Sequence, residues 1–138
     1  MRKLVVHMQV TLDGRISTRD GSFWEPLRFG DPETEFVNDA FRSADTWAMS
    51  RPLYQFVVPS WEQVAAGSMP EGSDSVTPPQ REFADLLVGL TKVVFSTSLT
   101  DDPGTRRVVI SGDIGAQLAE LKQQPGRDIV LSAVAEPR

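Results

Sequence analysis

Three observations predict an α/β fold with a largely parallel sheet. Helical and strand-like periodicities alternate after residue 30, the order that builds strand–helix–strand units. Lys92-Val93-Val94-Phe95-Ser96 is a β-branched and aromatic run, as expected of a strand covered on both faces. Turn formers punctuate the helical runs at Asp31-Pro32, Gly112-Asp113 and Pro125-Gly126. At 138 residues, a single domain over 1–138 accommodates these elements, with a core large enough to need no covalent staples.

The first strand is expected over residues 4–10. Val6, Met8, Val10 and Leu12 alternate with His7, Gln9 and Thr11, which predicts that the apolar set is buried and His7 faces the other side. The strand ends at Asp13-Gly14, where glycine suits a tight turn. Residues 18–32 are rich in Gly, Pro and Asp and carry Trp24; so long an irregular connection suggests a task at a surface.

A helix is then expected with Asp31 as its cap, Pro32 in its first turn and Glu33 complementing the dipole. Phe36, Val37, Ala40, Phe41 and Ala44 recur at helical spacing, and residues 46–50 read as a short strand. A short helix after Pro52 should turn Leu53, Phe56 and Val57 inward, and residues 67–79 read as a loop. Phe83, Leu86, Leu87 and Leu90 mark another helix; residues 92–96 and 107–111 are strands. Ile114, Leu118 and Leu121 share a face of the helix opened by Gly112-Asp113, and residues 128–132 form the last strand. Asp101-Asp102 precedes Pro103-Gly104 and reads as a turn, while Trp47 and Trp61 read as packing residues.

The composition narrows the function classes. Nineteen acidic and fourteen basic residues leave a net charge of −5, with no basic cluster to hold nucleic acid. The absence of cysteine removes disulfides and thiolate chemistry, and one histidine leaves no conventional zinc site. The N-terminal strand is too short and too polar for a membrane span or signal peptide, so the cytoplasm is the default location.

The residues Thr11-Leu12-Asp13-Gly14-Arg15-Ile16 are similar to a Ser-Leu-Asp-Gly signature after a first strand, and Gly21-Ser22-Phe23-Trp24 to a Gly-x-Ser-x-Trp segment. Ala44-Asp45-Thr46, Lys92-Val93-Val94-Phe95-Ser96 and Val109-Ile110-Ser111-Gly112-Asp113 match in character and order. In these features the chain resembles the reductase domain of bacterial bifunctional deaminase-reductases of riboflavin biosynthesis. The resemblance implies a three-layer, dihydrofolate-reductase-like fold and hydride transfer from NADPH to a ribosylamino-pyrimidine or pteridine-like ring. It implies Asp13 as the catalytic group, His7 and Trp24 as substrate-binding residues, and Ser50, Arg51, Ser96, Thr97 and Ser111 around the cofactor. Without the resemblance, Asp13-Gly14 is simply a turn.

Several positions depart from the family pattern. Its Gly-Arg-x-Thr-Tyr stretch reads Ser50-Arg51-Pro52-Leu53-Tyr54 here, so Pro52 lacks an N–H and Leu53 lacks a hydroxyl. Its Ser-Arg pair after the third strand becomes Ser96-Thr97, and a hydroxyl does not replace a guanidinium's bidentate bonds. Its late Gly-Gly turn reads Ala133-Val134, where side chains should obstruct a pyrophosphate. The chain also reaches Arg138 without the usual C-terminal strands, so the strand at 4–10 or at 128–132 should have an unpaired edge and invite a homodimer. A non-catalytic binding or assembly module that kept the fold is the alternative to a reductase.

Overall fold

The computed structural model describes residues 1–8, 13, 30–68 and 75–132. Its elements run β1 (Leu4–Val6), α1 (Asp31–Arg42), β2 (Ala44–Ser50), α2 (Arg51–Ala65), α3 (Pro78–Gly89), β3 (Thr91–Phe95), β4 (Arg107–Ile110), α4 (Ile114–Gln123) and β5 (Asp128–Ser132). A 3₁₀ turn at Pro103–Thr105 precedes β4. The strands form one sheet in the order β1-β5-β2-β3-β4, and every pairing is parallel.

Side chains alternate across the sheet and define the layers. Trp47, Met49, Val94 and Val130 pack with Phe41 of α1, Val57 and Val58 of α2, and Phe83 and Leu87 of α3. Ala48, Val93 and Ile129 face the other way, towards Leu118 and Leu121 of α4. The sheet thus lies between three helices and one, the three-layer α/β arrangement expected. Trp47 is buried edge-on to Phe41, with ring centroids 4.8 Å apart, and Trp61 meets Phe83 at 4.9 Å; both tryptophans are packing residues. Asp101 and Asp102 belong to the turn, where their carboxylates accept from the N–H groups of Val109 and Gly104.

Four local expectations are corrected. Val6 and Met8 were expected inside but are 72% and 41% exposed, whereas His7 is half-buried. The reason is position: β1 is an edge strand, α4 covers Leu4 but not Val6, and α1 covers the side on which His7 lies. Residues 9–12 of the expected strand lie outside the described residues. Asp31 is the first helical residue and not the cap; extended Gly30 occupies the cap position, with its carbonyl accepting from the Thr34 hydroxyl.

The helix after Pro52 is 15 residues long and continues through Pro59. Pro59 lies on the exposed face with Gln55 and Ser60, where water can satisfy the carbonyl that proline leaves unpaired. On that helix Leu53, Tyr54, Val57 and Val58 make the inner stripe, which leaves Phe56 45% exposed. Finally, the expected loop ends early: Thr77 and Gln80 form a reciprocal capping box, and Pro78 and Pro79 begin α3.

The starts of three strands are joined by Arg2, which is only 8% exposed. Its guanidinium donates to the Arg127 carbonyl at 2.8 Å, to the Thr46 hydroxyl at 2.7 Å and to the Asp45 carboxylate. Asp45 also accepts from the Arg127 N–H at 3.0 Å. Burial alone would raise the Asp45 pKa, but the Arg127 N–H, the Thr46 hydroxyl and Arg2 together hold it below the usual carboxylate value. Gly126 lets the chain pass this cluster: a Cβ there would lie 2.8 Å from Arg2 Cζ and 3.0 Å from Asp45 Oδ2.

Gly126→Ala should therefore destabilise the fold by about 1–3 kcal/mol through overpacking. Gly89→Ala, whose Cβ would meet nothing within 4 Å, should stabilise it by about 0.4–1 kcal/mol; urea titration of the two variants checks both signs. Because Asp45 is depressed in the folded state, its contribution is present above the unfolded carboxylate pKa of about 3.9 and disappears as pH falls through the folded value. Wild type should accordingly lose stability on acidification faster than Asp45→Asn, measured by urea melts between about pH 7 and pH 3.

Candidate active site

Parallel strands place all their carboxyl ends on one edge of the sheet, where open α/β folds bind ligands. Along that edge lie His7 beyond β1, Ser132 of β5, Ser50 of β2, Ser96 beyond β3 and Ser111 beyond β4. A cleft of about 480 Å³ opens over the last three. Phe95 and Ile110 give it apolar surface. Ser50, Arg51 and Pro52 at the start of α2 form one side, and Gly112 and Ile114 at the start of α4 another. Ser96, Thr97, Ser98 and Ser111 add hydroxyls.

All five residues expected around a cofactor (Ser50, Arg51, Ser96, Thr97 and Ser111) thus line one cleft. Ser98 and Gly112 were not anticipated. The unbroken hydroxyl run Ser96-Thr97-Ser98 at a strand end is the signal that could have found the former. Ser96 Oγ accepts from the N–H groups of Ser98 at 3.1 Å and Leu99 at 3.0 Å, so this hydroxyl shapes the turn. Arg51 Nη1 donates to Ser98 Oγ at 3.1 Å and ties the start of α2 to that turn.

The two helix starts differ in electrostatic character. On α4 the Asp113 carboxylate accepts from the Ala116 N–H at 3.0 Å, which already satisfies an amide of the first turn. On α2 the cap residue Ser50 makes no side-chain cap bond, the first turn holds no acid, and Arg51 adds a cation. Pro52 supplies no N–H, so Arg51 and Leu53 are the amide donors of that turn. An anion is favoured at α2 and disfavoured at α4.

His7 and Asp13 do not line the cleft. His7 is bound through its backbone, donating to the Leu131 carbonyl at 3.1 Å and accepting from Ser132 Oγ at 3.0 Å. Its ring lies 6.3 Å from that of Phe36 and 6.4 Å from that of Phe41, and burial pushes its pKa below the ordinary value. Asp13 is an exposed turn residue, and Trp24 lies outside the described residues. A larger groove of about 640 Å³ lies between α1 and α3, at the opposite end of the sheet. Its Arg42 is already paired with Glu82, Asp39 and Glu35, and its Arg127 with the Arg42 carbonyl, which leaves the hydroxyl-lined cleft as the better ligand site.

The family model described as RibD C-terminal domain matches residues 2–136. The chain belongs to the RibD C-terminal domain family. Among solved structures, it is similar to one described as a riboflavin biosynthesis protein from Shewanella sp. PV-4 at 16% identity and a TM-score of 0.56, covering 96% of this chain and 64% of that one. It is also similar to a diaminohydroxyphosphoribosylaminopyrimidine deaminase/5-amino-6-(5-phosphoribosylamino)uracil reductase from Thermotoga maritima, at 14% identity and a TM-score of 0.56. That match covers 97% of this chain and 39% of the other. The chain therefore spans less than two thirds of the length of either protein. These structural matches share the fold, and no curated protein matches. Among the described residues no helix is long and apolar enough to cross a membrane.

The depressed His7 pKa makes a direct prediction. In an NMR titration its imidazole should titrate with a midpoint below the ordinary 6.5, and remain neutral at pH 7. Acidification through the unfolded histidine value should cost folding free energy, because the unfolded chain takes up that proton more readily.

Proposed function

We propose that the chain is a reductase domain that transfers hydride from a reduced nicotinamide dinucleotide to a ribosylamino-pyrimidine or pteridine-like substrate. The observation carrying this reading is the cleft at the carboxyl edge, where Ser50, Arg51, Ser96, Thr97 and Ser111 meet at an α-helix start. NADPH is the donor expected across the family. The residues present fit the dinucleotide in part: Arg51 and the α2 amides suit one phosphate group, and the hydroxyls suit ribose and amide groups. The nicotinamide, when bound, supplies the hydride.

The remaining work belongs to the chain. In this reading Arg51 anchors phosphate, Phe95 and Ile110 exclude water, and Ser111 offers a hydrogen-bond partner. Asp13 bonds a substrate N–H or hydroxyl beside the nicotinamide, Trp24 stacks on the flat ring, and neutral His7 lines the substrate side. We also propose a homodimer that covers β1. Among the described residues that strand pairs only with β5, and Val6 at its end and Met8 just beyond it are exposed.

Saturable quenching of tryptophan fluorescence by a reduced dinucleotide is the expected outcome, with Arg51→Ala weakening it about tenfold, or about 1.4 kcal/mol. Asp13→Asn should lower turnover with little change in dinucleotide affinity; equal turnover would leave Asp13 as a turn residue. Absence of saturable binding to millimolar dinucleotide would favour the non-catalytic module, a reading that Pro52 and Leu53 at the α2 start support. Light scattering at micromolar concentration should report a dimer, and a stable monomer would overturn that assembly.

A further inference from the structure

We propose that Arg107 is a positioning residue for the cleft: it braces the β3–β4 connection against α2, so that Arg51 and the Ser96-Thr97-Ser98 turn keep one geometry towards a ligand. The inference rests on the reductase reading of the cleft and concerns what holds that site in shape. Residues 96–106 join β3 to β4 without an α-helix to stiffen them. Backbone bonds fix the two ends of this connection: the Ser96 N–H donates to the Ile110 carbonyl at 3.0 Å, and Asp102 and Arg107 exchange two bonds of 2.9 Å. Side chains hold the stretch between them to α2.

Arg51 makes one link, donating to Ser98 Oγ. Arg107 makes a second: its Nε donates to the Thr100 carbonyl at 2.8 Å and its Nη1 to the Tyr54 hydroxyl at 3.3 Å. Its guanidinium also lies over the Tyr54 ring, 5.6 Å from the centroid, and Tyr54 is itself buried. A planar fork can bond two partners while resting on an aromatic face, which a lysine ammonium cannot do. Arg51 and Tyr54 are three residues apart on α2 and are therefore neighbours on one side of it. Leu99, between the two bonded residues of the connection, packs on the same core cluster as Tyr54. Arg107 is not among the residues lining the cleft, so it acts through Tyr54 and Thr100. Holding Arg51 and the turn in place before a ligand arrives removes their ordering cost from binding.

The test is a double-mutant cycle of Arg107→Met and Arg51→Ala in the full chain, read as NADPH affinity by tryptophan quenching. Arg107→Met keeps an aliphatic stem over Tyr54 and should weaken NADPH about fivefold, yet cost nothing further in the Arg51→Ala chain, the coupling expected when one residue acts through the other. Tyr54→Phe removes only the hydroxyl; it repeats the cycle with less risk to the fold, with a loss of about twofold. A cation near the site would attract an anion by charge alone, and Arg107→Lys separates that effect from positioning: it keeps the charge and should bind as weakly as Arg107→Met. Urea titration establishes that each variant is folded under the assay conditions. Full affinity in Arg107→Met, losses that add in the double variants, or recovery in Arg107→Lys would overturn the inference and leave the reductase reading standing. A wild-type chain that NADPH does not saturate would overturn both.

Discussion

The buried Arg2 guanidinium is the constraint on which the sheet's alignment depends. It reaches from the residue two before β1 to Asp45 and Thr46 in β2 and to the Arg127 carbonyl just before β5. Three neighbouring strands therefore start from one polar cluster. Such a cluster adds little net stability after desolvation, yet it is costly to leave half-paired, so it disfavours shifted registers. In a parallel sheet the register at the amino ends also sets where the carboxyl ends emerge. The row from His7 through Ser132 and Ser50 follows from it.

A second polar group is buried on the same side of the sheet as the three helices. Lys92 is 1% exposed, and its ammonium donates to the Leu87 and Leu90 carbonyls at the end of α3, both at 3.0 Å. A cation at a helix C-terminus suits the dipole and satisfies carbonyls that the helix leaves open. Burial lowers its pKa, with Glu62 opposing that shift and Arg106 reinforcing it. The lysine thus joins α3 to the start of β3, and both ends of that helix are capped by side chains, Thr77 and Gln80 at one and Lys92 at the other.

Much of the architecture was legible in the sequence. The strands at 92–96, 107–111 and 128–132 lie within a residue of those expected, because their β-branched runs have no competing helical period. Asp113 was readable as a cap from its place before a periodic run. The first strand's buried face was misread because alternation reports two faces and not which of them a neighbour covers. On β1 the answer depends on α1 and α4, which lie about 25 and 110 residues away in sequence. The helix after Pro52 is longer than the short one expected, because it runs on through Pro59, which is tolerated on a solvent-facing turn.

Residue types and spacing alone determined the α/β class, the family resemblance and the hydroxyl-bearing strand ends, because these depend on local periodicity and short motifs. Tertiary structure decided that Ser50, Arg51, Ser96, Thr97 and Ser111 share one cleft, and that His7 stands apart beside α1. It also decided that the two helix starts at the cleft carry opposite electrostatic character. Strand order makes the difference: the parallel neighbours β2, β3 and β4 bring residues some 45 and 60 positions apart to one edge, and no local pattern encodes that pairing.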